Sequence, residues 1–199
     1  EAAYIQPLPH KHTHVMIRFT DGTVLYYNDL RKFGWIKLLS PDPMPGFVDR
    51  VTFLETLSIG PEPLGAMFAL DYFRSLLRKR TTVVKSFLLD QSAIAGIGNI
   101  YADEALFLAG INPMRRANTL KPVEQEKLYA AIRTVLELGI QYGGTSMNTY
   151  VNIEGTKGQM REHLKVYGRE GKPCFNCGIP IKRKKIGQRS SHYCSNCQR

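Results

Sequence analysis

The sequence predicts an α+β chain of three consecutive parts: a β-rich start, a helical middle and a small C-terminal metal hairpin. Three observations predict it. An Asp-Gly turn separates two apolar runs near the start, apolar residues then recur at helical spacing, and all four cysteines fall in the last 26 residues. At 199 residues the chain is long enough to bury a core without depending on disulfides. A hydrophobic content of 43% excludes a mainly disordered state. No apolar run reaches the length of a membrane span and no signal peptide opens the chain, so a soluble, cytoplasmic protein is expected.

The first part reads as β. His14-Val-Met-Ile-Arg-Phe19 and Val24-Leu-Tyr-Tyr27 flank Thr20-Asp21-Gly22-Thr23, and Asp-Gly between apolar runs is a strong hairpin signal. Trp35 to Leu39 is a further strand candidate. His10, His12 and His14 alternate; on a strand they would share one face, where they could bind a metal or simply form a polar edge. Ile59-Gly-Pro-Glu-Pro63 breaks any regular element and reads as a linker.

Beyond it the period turns helical. Leu70, Phe73 and Leu77 mark one helix, with Arg78, Lys79 and Arg80 at its negative end. A second is expected over Val84 to Asp90, and a third over Ile100 to Ala109 after the turn Ala93-Ile-Ala-Gly-Ile-Gly-Asn99. Such a small-residue turn before a helix exposes backbone N–H groups and suits phosphate, although Gly-x-Gly often serves close packing alone. The longest helix starts at Pro122 and runs to about Tyr142, buries Leu128, Ile132, Val135 and Gly139, and stops at Gly143-Gly144. Thr145 to Met160 reads as loop.

Cys174, Cys177, Cys194 and Cys197 form C-x2-C, sixteen residues, C-x2-C. Each pair places two thiolates on one tight turn, and a hairpin between the pairs brings four together. That is the pattern of a closed tetrahedral zinc shell, structural because no position is left open for water. The surroundings are basic. Arg161 to Arg199 holds ten Lys and Arg against Glu162 and Glu170, and so carries +8 of the chain's net +10. A polyanion partner is implied, nucleic acid first among them.

Asp29-Leu-Arg-Lys-Phe-Gly34, Leu57-Ser-Ile-Gly-Pro-Glu-Pro-Leu64 and Ala95-Gly-Ile-Gly-Asn-Ile-Tyr-Ala-Asp-Glu-Ala105 resemble stretches of the formamidopyrimidine-DNA glycosylases. So do Gly143-Gly-Thr145, Val166-Tyr-Gly-Arg169 and Gly187-Gln-Arg-Ser-Ser-His-Tyr-Cys-Ser-Asn-Cys-Gln198, in the family's order and across nearly the whole chain. The resemblance implies the remainder of an N-terminal β-sandwich over 1–58, a helix–two-turns–helix domain over 59–160 and a zinc finger over 161–199. It also implies base-excision repair of oxidised purines, 8-oxoguanine and formamidopyrimidines, flipped out of duplex DNA because the reacting atom is unreachable in the stack. The family's N-terminal proline amine forms a Schiff base with the sugar while a glutamate moves protons.

Roles carried over by the resemblance fall on particular residues. Asn99 would hold a phosphate beside the lesion, Lys85 a phosphate or the lesion, and Arg189 and Tyr167 the same backbone. Arg31 would meet the orphaned cytosine and Phe33 would act as an apolar wedge. Thr145, Ser146, Met147, Asn148, Thr149 and Tyr150 would read the everted base. The implied partner is damaged double-stranded DNA, bound by a monomer in the bacterial cytoplasm at the nucleoid. The chain begins at Glu1 without the family's Pro-Glu-Leu-Pro opening, so no catalytic residue is assigned here and this polypeptide is expected to be inactive by itself. Two other readings stand beside this one. One is the related endonuclease VIII type acting on oxidised pyrimidines, against which Arg31-Lys32-Phe33 and the long loop after Thr145 argue. The other is a non-catalytic zinc-ribbon DNA-binding module.

Overall fold

A computed structural model describes residues 7–36, 58–145 and 158–199. Strands β1 (Thr13–Arg18) and β2 (Val24–Asn28) pair antiparallel, with Met16 opposite Tyr26 and Arg18 opposite Val24. The turn between them is set by Asp21-Gly22. Gly22 lies at φ +89°, a region that favours glycine, and its N–H donates to the Phe19 carbonyl. The Asp21 carboxylate accepts from both the N–H and the hydroxyl of Thr23, which holds its pKa below the ordinary value. Of the further strand expected at Trp35 to Leu39, Trp35 and Ile36 are outside any strand and the rest lies outside the described residues.

The helical unit follows: α1 (Leu70–Lys79), α2 (Val84–Leu88), α3 (Asn99–Leu108) and α4 (Pro122–Gln141), with a 3-10 turn at Ala117–Thr119. α2 stops two residues short of the expected end. Asp90 turns its carboxylate onto the N–H and hydroxyl of Ser92, and that local bond competes with another helical turn. Phe73, Leu77, Phe87, Leu88, Ile97, Leu106, Leu128 and Ile132 meet in one core. At about 25 cal/mol per Å² of apolar surface removed from water, that core is the main source of the unit's stability. Leu128, Ile132, Val135 and Gly139 of α4 are buried, as their spacing predicts.

The linker segment is not free. The N–H of Gly60 donates to the Gln91 carbonyl, Ala95 N–H to the Pro61 carbonyl, and the Arg133 guanidinium to the Pro63 carbonyl. A Cβ on Gly60 would lie 2.5 Å from the Ala93 backbone, so glycine is what permits this approach.

The C-terminal unit opens with a 3-10 turn at Met160–His163 and ends in the antiparallel pair β3 (Lys182–Ile186) and β4 (Arg189–Tyr193). Val166, Cys174, Ile181 and Cys194 form a second small core, which Phe107 from α3 completes. No helix among the described residues is long and apolar enough to cross a membrane.

Candidate metal centre and nucleic-acid interface

The two Cys-x2-Cys turns face each other across the end of the β3–β4 hairpin. Gly178 at φ +75° lets the first chain reversal close, its N–H donating to the Cys174 carbonyl. The Sγ atoms of Cys174 and Cys197 are 3.9 Å apart and those of Cys177 and Cys194 3.5 Å apart, all four within 4.8 Å of one another. A tetrahedron with Zn–S of about 2.3 Å has edges of roughly 3.8 Å, so the four sulfurs fit zinc. A disulfide would need about 2.05 Å, and all four thiols are free. The Ile179 N–H aimed at Cys177 brings that thiol down to about 6, favouring the thiolate a metal requires. Burial pushes Cys197 up to about 12 in the absence of a cation. This set is the one group of three or more metal-ligating side chains among the described residues.

The three alternating histidines do not converge. β1 begins at Thr13, so His10 and His12 precede the strand. The His10 ring meets His12 edge-on at 5.8 Å, and the His14 ring nitrogen bonds the Asp29 carbonyl at 2.9 Å.

α3 supplies the start of the interface. Gly98 is extended just before it, so the first N–H groups of a ten-residue helix are left without intrahelical acceptors. They open on a cavity of about 300 Å³ lined by Gly98, Asn99, Ile100, Tyr101, Gly144 and Thr145. Asn99 donates through Nδ2 to the Ser190 carbonyl at 2.9 Å, while its buried Oδ1 has no hydrogen-bond partner. The residue before Ser190 is Arg189, exposed at the hairpin tip and paired in register with Ile186. Asn99 and Arg189, distant in sequence, are thus brought to one place.

Lys85 is elsewhere. It is 0% exposed, and its Nζ donates to Asp103 Oδ1 and to the Asn99 carbonyl, each at 2.7 Å. Burial lowers its pKa and the Asp103 charge raises it again. The phosphate or lesion contact expected of Lys85 is therefore corrected: its ammonium is spent inside the protein, holding the first residue of α3. Tyr167 is half-buried, its N–H donates to Glu104 Oε1 and its ring meets His192 edge-on at 4.8 Å.

Arg31 and Phe33 project from a loop organised by one carboxylate. Asp29 accepts from the N–H groups of Arg31, Lys32 and Gly34 at 2.6–2.9 Å, and these bonds lower its pKa. Bracketed this way, Phe33 is 81% exposed, with the Arg31 guanidinium 5.7 Å from its ring centre. Thr145 donates through its hydroxyl to Tyr101 Oη at 3.3 Å and bridges to Gln159. Ser146, Met147, Asn148, Thr149 and Tyr150 lie outside the described residues.

Sequence reasoning passed over two residues that tie α3 to the C-terminal unit. Asp103 and Glu104 are consecutive carboxylates, 1% and 3% exposed, inside an apolar helix. Glu104 accepts the backbone N–H groups of Lys165, Val166 and Tyr167 at 2.8–2.9 Å. Asp103 accepts the Ser191 hydroxyl at 2.6 Å and the His192 N–H at 2.8 Å. The signal was present: two adjacent acids flanked by Ala102 and Ala105-Leu-Phe107 are not placed in a buried helix without partners.

The chain is similar to known proteins in sequence and in fold. Residues 59–151 match the formamidopyrimidine-DNA glycosylase H2TH domain, and residues 171–199 match the zinc finger found in FPG and IleRS. The formamidopyrimidine-DNA glycosylase of Pelotomaculum thermopropionicum is 44% identical over 194 residues, covering 98% of this chain and 68% of that protein. That of Enterococcus faecalis is 45% identical over 188 residues, covering 94% of this chain and 65% of its relative. Among solved structures, the MutM (Fpg) protein of Thermus thermophilus superposes with a TM-score of 0.81 at 37% identity, covering 96% of this chain and 70% of that one. The Lactococcus lactis Fpg in complex with DNA containing an abasic site gives 0.83 at 38% identity, covering 98% and 69%. The chain spans about two thirds of the length of the relatives it matches.

Proposed function

The chain belongs to the formamidopyrimidine-DNA glycosylase family, and on that premise we propose that it holds damaged duplex DNA for base-excision repair of oxidised purines, 8-oxoguanine and formamidopyrimidines. One observation carries the reading: the open N-terminus of α3 and the exposed Arg189 are bonded into one surface through Asn99 and Ser190. Backbone N–H groups at a helix N-terminus favour a phosphate, and a guanidinium without an ion-pair partner among the described residues adds a second, charge-assisted contact beside them. The row Lys182, Arg183, Lys184 and Lys185 on β3 extends the positive field.

The zinc supplies folding of the hairpin and no chemistry, because four thiolates leave no open coordination position. Cys174, Cys177, Cys194 and Cys197 hold it. Arg31 and Phe33 take the duplex interior: Phe33 as the wedge that replaces the flipped base, Arg31 on the base left behind. Tyr167 supports the backbone, Lys85 acts through Asn99, and the segment from Thr145 to Tyr150 reads the everted base. The residues matched to the family's motifs here bind DNA, and the covalent step is assigned to none of them. The protein acts as a monomer in the bacterial cytoplasm, at the nucleoid. The divisions at 58/59 and 160/161 separate the sandwich, helical and zinc parts.

Binding to intact and to 8-oxoguanine duplexes across a salt series tests this. Asn99→Ala and Arg189→Ala are expected to weaken both duplexes by similar factors, on the order of tenfold, because phosphate contacts position without reading sequence. Arg189→Ala also lowers the slope of log K against log salt by about one. Unchanged affinity and slope in Arg189→Ala would overturn the phosphate reading.

A further inference from the structure

We infer that Asp103 is a positioning residue that fixes Arg189 relative to Asn99, so that both reach the same stretch of DNA backbone. The inference rests on the phosphate roles proposed above for Asn99 and Arg189.

The zinc ligands secure only one end of the β3–β4 hairpin. Cys194 directly follows β4, whereas Arg189 begins that strand at the opposite end. A two-stranded ribbon is marginally stable alone, so its tip needs another anchor. Among the described residues that anchor is α3. Asp103, its side chain wholly buried, accepts the Ser191 hydroxyl on Oδ1 at 2.6 Å and the His192 N–H on Oδ2 at 2.8 Å. One turn earlier on the same helix, Asn99 Nδ2 donates to the Ser190 carbonyl. Three successive residues after Arg189 are thereby bonded to α3.

Lys85 closes the ring. Its Nζ joins Asp103 Oδ1 to the Asn99 carbonyl, so the helix start and the strand share one buried cation. A displacement of β4 would break the Ser191 and His192 hydrogen bonds to the buried Asp103 carboxylate, which would keep Lys85 alone as its partner. The position of Arg189 is set by this ring as well as by the metal.

The charge sign separates positioning from plain electrostatics. Removing a negative charge near a polyanion site tightens binding if only the field matters. Loss of positioning weakens it.

The experiment is a double-mutant cycle on the zinc-loaded protein, reading duplex DNA affinity across a salt series together with zinc content. Asp103→Asn is expected to weaken binding about tenfold and to lower the salt slope toward that of Arg189→Ala. The double variant Asp103→Asn with Arg189→Ala is expected to bind within about twofold of Arg189→Ala alone, with one zinc retained throughout. Because Asp103→Asn leaves Lys85 without its counter-ion, Ser191→Ala runs beside it. That change keeps the Lys85–Asp103 pair and is expected to show the same coupling at smaller amplitude. Equal or tighter binding in Asp103→Asn and Ser191→Ala, while Arg189→Ala is weak, overturns the inference. So do effects that simply add to that of Arg189→Ala. No effect of Arg189→Ala alone overturns instead the phosphate reading on which the inference stands.

Discussion

Burying the Glu104 carboxylate disfavours its charged form, and its pKa is raised for that reason first, against the pull of three backbone N–H groups from residues 165–167. A folded value above the ordinary 4.5 means that the folded chain holds the proton longer than the unfolded one. The stability this contributes is complete below pH 4.5 and is lost as pH rises through the folded value. Glu104→Gln removes that titration, so its stability profile is expected to lack the decline that the parent shows above pH 4.5. The amide also turns a donor toward one of the three N–H groups, costing about 1 kcal/mol at neutral pH, whereas Glu104→Ala strands all three and costs roughly 3 kcal/mol or more. Denaturant titrations at several pH values read both effects; equal losses for Gln and Ala would refute this account. Lys85 shows why single residues were hard to read. A cation on a five-residue helix gives too short a pattern to say which face is buried, and only the approach of Asp103 from α3 decides it.

α3 and α4 cross closely because Gly139 faces the Tyr101 ring. A Cβ at position 139 would sit 2.5 Å from Tyr101 Oη and 2.7 Å from Cζ. Replacing a helix-interior glycine by alanine gains up to about 1 kcal/mol of propensity, but overpacking costs typically about 1–3 kcal/mol. Gly139→Ala is therefore expected to lower Tm, and Tyr101→Ala to suppress that loss in the double variant. A stabilised Gly139→Ala would show that the helices part freely. The four residues named from α4's spacing are buried because 20 residues give the helical period room to declare itself. α2 resisted the same treatment, since Asp90 and Ser92 end it with a side-chain turn that hydrophobic periodicity does not register.

The two cores differ in what sustains them. The helical core draws on α1 to α4, whereas the C-terminal one consists of a few apolar residues and the cysteines themselves. Metal binding free energy is then most of the hairpin's folding free energy. Chelation is expected to abolish amide protection over 171–199 and DNA binding together, while protection over 70–141 persists. Hydrogen exchange with and without chelator reads this, and parallel loss of the helical amides would show the two units to be one cooperative body. Asp103 keeps Lys85 as its partner when β4 leaves, so the helical unit is not left with an unpaired buried charge.

Local chemistry made the hairpin at Asp21-Gly22, the longer helices α1, α3 and α4 and the zinc cysteines legible from the chain alone, because each signal lies within a few residues or one period. Resemblance added Asn99, Arg189, Arg31 and Phe33 as expected DNA contacts; the structure bonds Asn99 to Ser190, next to Arg189, and exposes Phe33. What no local signal could contain is the partnership across 88 and 89 residues by which Asp103 holds Ser191 and His192, or the burial that turns Lys85 inward. Those outcomes follow from desolvation: a buried charge must be paired, and which groups pair is known only once helices and hairpin have packed.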